Sequence, residues 1–254
     1  MNVKPRALVI GVANERSLAW SIVKHLKASG FEIAMTYQNE ALEKRVRPLA
    51  SELSIGSDLV LPLDVNNESQ VESVFETLKS KWGYITTLVH AVAFANREDL
   101  EGRFIDTNRL GFRTALESSA YSLVECSRAA ENLLKVHGGS ILTLSYIGSQ
   151  KVVPHYNVMG VAKAALEASV RYLAYDLGKH KIRVNAISAG PVKTLAAAGI
   201  RDFRTMLAKD AESNLLQENI QADDVGALAA FLCSAQAKHI TGSTLFVDSG
   251  AHIL

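Results

Sequence analysis

The chain has 254 residues, 48% hydrophobic and 21% charged, and its 27 basic and 26 acidic residues leave a net charge of +1. That apolar content excludes a disordered chain, and the charge balance excludes a globally basic nucleic-acid binder. Two cysteines, Cys126 and Cys233, make no disulfide framework at this length and point to a reducing compartment.

Met1 to Pro5 leads straight into an apolar run, with no signal-like segment before it. The longest uncharged stretch, between Lys81 and Arg97, falls short of the roughly 18 apolar residues a membrane helix needs. A soluble cytoplasmic protein without a membrane partner is expected. The first predicted strand, Arg6–Gly11, precedes a helix over Leu18–Ser29 with Ser17 as its N-cap. Strand Phe31–Thr36, helix Glu40–Leu53, strand Leu59–Leu63 and helix Glu68–Lys81 follow, the last capped by Asn67. Gly30 and Gly83 stand where helices should stop. Then come strand Ile85–His90, a long helix Thr107–Val136, strand Ser140–Ser145, helix Asn157–Gly178, strand Arg183–Ile187, helix Ala222–Ser234 and strand Thr244–Val247. Most strands are continuous apolar runs, as in a parallel sheet covered on both faces. The alternation predicts one α/β domain over residues 1–254, a doubly wound seven-stranded parallel sheet with helices on both faces.

Ligands in such sheets bind beyond the carboxyl ends of the strands. After the first strand, Gly11 opens a turn with Ala13 and Ser17, but the full G-x-G-x-x-G fingerprint is absent. The turn suits a phosphate cradle or an ordinary strand–helix connection equally. Gln38, after the second strand, is a neutral amide able to bond a ribose hydroxyl, which leans toward NAD over NADP. Asp64 fits either an adenine contact or a helix N-terminal acid. Tyr156 and Lys163 share one helix face, about 10.5 Å apart along the axis, with Gly160 and Ala162 allowing close approach. Tyr146 ends a predicted strand. The stretch from Pro191 to Leu207 fits a mobile lid over an apolar ligand or a short amphipathic helix. No H-E-x-x-H metal motif occurs, and no metal is expected.

In order and spacing these residues resemble the short-chain dehydrogenase/reductase superfamily with its Rossmann-type fold. More closely, they resemble the NADH-dependent enoyl-acyl-carrier-protein reductases of bacterial type II fatty acid synthesis. The resemblance rests on Gly-Val-Ala-Asn-Glu-Arg-Ser at 11–17, Thr-Tyr-Gln at 36–38, Leu-Asp-Val at 63–65 and Ser-Tyr-Ile-Gly at 145–148. Tyr-Asn-Val-Met-Gly-Val-Ala-Lys at 156–163, Gly-Pro-Val-Lys-Thr-Leu-Ala-Ala at 190–197 and Thr-Gly-x4-Val-Asp-x-Gly at 241–250 complete it. Ordinary members of the superfamily carry Tyr-x3-Lys. Here Met159 stands four before Lys163 and the tyrosine stands seven before, as in the enoyl reductases.

The resemblance implies hydride transfer from NADH to the β-carbon of a trans-2-enoyl thioester. Tyr156 would stabilise the developing enolate oxygen, Lys163 would hold the nicotinamide ribose, and Tyr146 would support the reacting centre. It further implies a cofactor lined by Gly11, Ala13, Ser17, Leu18, Gln38, Asp64, Val65, Ala91, Val92, Ala93, Val192 and Thr194. Ser17 would meet the pyrophosphate, and Ala91 and Ala93 replace the family's frequent Ser and Gly. The acyl slot is assigned to Phe94, Ala95, Leu100, Tyr146, Tyr156, Met159, Ala196, Ala197, Ile200, Phe203 and Met206, under a lid at about 191–210. Arg201 and Arg204, with Lys209, would meet an acidic carrier protein. A homotetramer is implied, its larger interfaces on the Thr107–Val136 and Asn157–Gly178 helices. The competing expectations are a dehydrogenase acting on a carbonyl or alcohol, which Met159 argues against, and a silent NAD-binding protein, which the joint presence of Tyr146, Tyr156 and Lys163 argues against.

Overall fold

The computed structural model describes residues 3–194, 207–208 and 211–254. Seven strands form one sheet: β1 (Arg6–Ile10), β2 (Glu32–Tyr37), β3 (Val60–Pro62), β4 (Thr87–His90), β5 (Gly139–Ser145), β6 (Ile182–Ala189) and β7 (Thr244–Val247). All pair in parallel in the order β3-β2-β1-β4-β5-β6-β7. The chain builds outward from β1 to β3, then crosses back to place β4 on the other side of β1. That reversal opens a crevice at the carboxyl ends of β1 and β4.

The sheet is covered on both faces. Along β1, Ala7 and Val9 join a core beneath α1 (Leu18–Ala28), α2 (Glu40–Glu52) and, near the chain's end, the helix over Ala222–Cys233. Leu8 and Ile10 point the other way, into a core made with α3 (Glu68–Trp82) and two later helices. This period-two alternation, apolar on both sides, is why the strands read as unbroken apolar runs. Ser17 and Asn67 cap α1 and α3 through their side chains, accepting from the amides of Trp20 and Gln70. Gly83 ends α3 with φ of +71°, a left-handed conformation. On α2, Glu43 and Arg47, one turn apart, pair at 2.6 Å.

The expected long helix over 107–136 is not continuous. After a short turn, α4 (Arg97–Leu100), it begins as α5 (Arg109–Leu116), widens into a π turn at Glu117–Tyr121, and resumes as α6 (Ser122–Leu134). The reason is tertiary: Ser118 Oγ donates to Asn66 Oδ1 at 2.8 Å, while Ser119 Oγ bonds both the amide and the carbonyl of Phe94. Those contacts draw the turn toward the loops after β3 and β4. α7 spans Asn157–Gly178, as expected, and α8 spans Ala222–Cys233.

α1 and α8 pack through small residues. Gly226 faces Ser21 and His25 so closely that a Cβ there would lie 2.6 Å from Ser21 Oγ and 2.5 Å from His25 Cδ2. Gly226→Val is expected to lower the unfolding free energy by about 1–3 kcal/mol, measured by urea titration, because overfilling pries the two helices apart.

Candidate active site

The switch point opens into a cavity of about 550 Å³. At its β1 edge Gly11 has φ of +97°, and a Cβ there would sit 2.4 Å from the Ala91 carbonyl oxygen. Only glycine fits, because conformation and space both forbid a side chain. The turn delivers the chain into α1, whose first residues line the cavity and whose first turn carries no acid. Free amide groups and the positive end of an eleven-residue helix suit a phosphate. Ser17 Oγ donates to the Asn14 carbonyl at 2.7 Å. At the far edge Gln38 Nε2 donates to Asp64 Oδ2 at 3.4 Å, and Asp64 Oδ1 accepts from both nitrogens of Asn66 at 3.0 Å.

The opposite wall is built by β5 and α7. Lys163 is buried, and its Nζ donates to the Leu144 carbonyl at 2.7 Å. Burial pulls its pKa down to about 8, against the opposing charge of Glu167. Tyr156 caps the start of α7, between His155 and Asn157, both at positive φ. Such left-handed flanks on non-glycine residues cost about 1–3 kcal/mol each and are tolerated where surroundings enforce them. Its ring meets Tyr146 edge-on, centroids 4.9 Å apart. Burial, with Tyr146 beside it, pushes the Tyr156 phenol well above the usual tyrosine range, so it stays protonated. Gly148 makes room for that ring: a Cβ would lie 2.5 Å from Tyr156 Cδ1.

The sequence candidates converge. Gly11, Ala13, Ser17, Leu18, Gln38 and Val65 line one side of the cavity. Ala91 and Val92 lie against Gly11, and Ala93, Phe94, Lys163, Thr194, Tyr146 and Tyr156 complete the lining. Asp64 reaches the cavity through Gln38. Val192 stands half-buried behind Thr194, its carbonyl accepting the Thr194 amide at 2.8 Å. Ala95, Leu100 and Met159 do not line this cavity but pack around Tyr156 in a small apolar cluster. Ala196, Ala197, Ile200, Arg201, Phe203, Arg204, Met206 and Lys209 lie outside the described residues, as does most of the proposed lid.

Sequence reasoning missed several polar groups. Asn66, Ser118 and Ser145 also line the cavity. His90 is wholly buried at the end of β4, its ring nitrogens 3.2 Å from Thr143 Oγ1 and 2.8 Å from Ser122 Oγ. Burial and the nearby Lys163 push its pKa down to about 3, so it is neutral. Glu167 is buried one turn beyond Lys163. An acid four residues after a candidate lysine was the signal the sequence held for Glu167, and nothing there distinguished it from a surface acid.

A glycine cradle that a Cβ would fill, a helix N-terminus and an amide–carboxylate pair in one crevice fit an extended dinucleotide. With a protonated phenol and a lysine at the other end, the fold and cavity define a dinucleotide-dependent oxidoreductase. Comparison narrows this further. The family model described as enoyl-(acyl carrier protein) reductase matches residues 11–252. The enoyl-[acyl-carrier-protein] reductase [NADH] FabI of Rickettsia typhi is 50% identical over 249 residues, covering 98% of this chain and 94% of its own. A crystal structure of the Bacillus cereus enoyl-acyl carrier protein reductase, with NADP+ and an indole naphthyridinone, superposes with a TM-score of 0.96 at 49% identity, covering 98% and 97% of the two chains. That of the Anaplasma phagocytophilum reductase in complex with NAD gives 0.94 at 50% identity, covering 98% and 94%. The chain belongs to the enoyl-acyl-carrier-protein reductase family.

Gly148→Ala is expected to displace the Tyr156 ring and lower kcat about tenfold or more, with thermal stability little changed; steady-state kinetics beside a melting curve check this.

Proposed function

We propose that this protein is an NADH-dependent enoyl-acyl-carrier-protein reductase, reducing the trans-2 double bond of enoyl thioesters to saturated acyl thioesters in type II fatty acid biosynthesis. The observation that carries this over the carbonyl-reductase alternative is the side chain one turn before Lys163. Met159 is buried there, its sulfur 3.7 Å from Ser119 Oγ. No hydroxyl stands at that position to serve a carbonyl oxygen, and the phenol of Tyr156 lies a further turn away.

Bound NADH supplies the hydride for the β-carbon. Gly11 and the α1 N-terminus receive its pyrophosphate, and Gln38 its adenosine ribose. The Asp64 carboxylate beside Gln38 opposes a phosphate on the adenosine ribose 2′-hydroxyl by charge repulsion, which supports NADH over NADPH. Lys163 has three N–H groups; one is spent on Leu144, leaving two for the nicotinamide ribose. Tyr156 donates to the thioester oxygen, where negative charge develops as the β-carbon is reduced. Because its phenol stays protonated, this hydrogen bond is available throughout the working pH range. Tyr146 holds the Tyr156 ring in place, and Ala95, Leu100 and Met159 begin the apolar surface for the acyl chain. The substrate arrives on the acyl carrier protein.

The same reading includes a homotetramer in the bacterial cytoplasm. Leu110, Phe112 and Tyr121 on the α5–α6 segment are exposed, as are Tyr172 and Tyr175 on α7. Exposed apolar groups of this size support subunit contacts. The buried free thiols of Cys126 and Cys233 suit a reducing compartment. Among the described residues, no helix is long and apolar enough to cross a membrane.

NADH oxidation that depends on a crotonyl or longer enoyl thioester is the expected activity; turnover of a ketone without it would overturn the assignment. Tyr156→Phe is expected to lower kcat about 100-fold while the NADH dissociation constant holds. Lys163→Ala is expected to raise the KM for NADH about tenfold or more, by removing ribose contacts.

A further inference from the structure

Glu167 takes no part in the chemistry described above, yet among the described residues it is one of the most buried carboxylates, with 6% exposure. A buried carboxylate is costly unless its oxygens are bonded. Its Oε1 accepts from Ser145 Oγ at 2.5 Å and from Ser149 Oγ at 2.6 Å, and Oε2 accepts from Gln150 Nε2 at 3.4 Å. Ser145 and Ser149 bracket the turn that carries Tyr146 and Gly148. Lys163 lies four residues earlier on α7, hence on the same face, and bonds Leu144, the residue just before Ser145. The end of β5 is therefore fastened to α7 at two successive points, one cationic and one anionic.

We propose that Glu167 is the positioning residue of this site: its carboxylate clasps the two serines around Tyr146 and stands one helical turn from Lys163, so that it fixes the ring of one and the ammonium of the other. This rests on the assignment of Lys163 to the nicotinamide ribose. Among the described residues, the groups electrostatically coupled to Lys163 are Glu167 on its own helix and His90 on β4; Tyr156 at the start of α7 and Tyr146 after β5 line the same cavity. His90 is neutral, and the Tyr156 phenol is protonated. Glu167 is the carboxylate among them, and its charge raises the proton affinity of Lys163 against burial. With Glu167 neutralised, Lys163 loses its proton at lower pH and becomes a poorer donor to the ribose.

The test is steady-state kinetics of the full chain from about pH 6 to pH 9.5, with NADH and a crotonyl thioester, for wild type, Glu167→Gln, Ser149→Ala and Lys163→Ala. In the wild type the KM for NADH should climb as pH passes about 8, where Lys163 titrates. In Glu167→Gln the climb should begin about half a unit or more lower, with KM near pH 6.5 within about twofold of wild type. Ser149→Ala keeps the charge and loosens the clasp, so kcat should fall about threefold to tenfold while the KM profile stays put. Superimposable pH profiles for Glu167→Gln and wild type, or a wild-type kcat in Ser149→Ala, would overturn the proposal. Ser149→Ala also decides the matter should Glu167→Gln fail to fold. If Lys163→Ala raises KM while the Glu167→Gln profile matches wild type, only the role of Glu167 falls; if Lys163→Ala leaves KM unchanged, the ribose assignment falls as well.

Discussion

The working parts of this protein depend on how closely α7 lies against the end of β5. Two glycines permit that distance: a Cβ on Gly160 would come within 2.7 Å of the Gly148 carbonyl oxygen, and one on Gly148 would enter the Tyr156 ring. With backbone nearly touching backbone, Lys163 can bond Leu144 directly, and the Tyr146 and Tyr156 rings meet. Separate the two elements by one methyl group and each of these contacts lengthens together. The close fit converts sequence spacing along a helix into a fixed arrangement of a phenol and an ammonium.

Burial pushes the His90 imidazole, the Lys163 ammonium and the Tyr156 phenol at the cavity's inner end toward their neutral forms, lowering the pKa of the bases and raising that of the acid. His90 loses its proton entirely at working pH. Lys163, with Glu167 in opposition, stops near pH 8 and keeps its charge. The inner end thus presents a neutral hydrogen-bond donor next to a retained cation, while the outer end presents helix amides and an amide–carboxylate pair.

Much of this was legible in the residues. The strands were readable because both of their faces are buried, leaving unbroken apolar runs, and α7 was readable because small and apolar positions repeat along it from Asn157 to Gly178. Tyr156 and Lys163 stood out through their spacing. Other parts left no local mark. Glu167 meets Ser145 and Ser149, 22 and 18 residues earlier, so its burial is a product of tertiary packing. The break in the helix over 107–136 arises from bonds to Asn66 and Phe94, partners in distant loops. Asn66 and Ser118 looked like ordinary loop and helix residues for the same reason.

The π turn at Glu117–Tyr121 also has the geometry of a length change. A helix that widens by one residue and then resumes behaves as if a single residue had been inserted into a regular one, and helical phase is counted at about 100° per residue. Deleting one residue here would restore an even helix with α5 and α6 nearly in phase, but it would remove the wide turn that carries Ser118 and Ser119 out to Asn66 and Phe94. The loop carrying Phe94 would then lose its hold on Ser119. In this segment the chain's length is under constraint as well as its composition: Ser118 and Ser119 reach the loops at the cavity rim only while the extra residue keeps the turn wide.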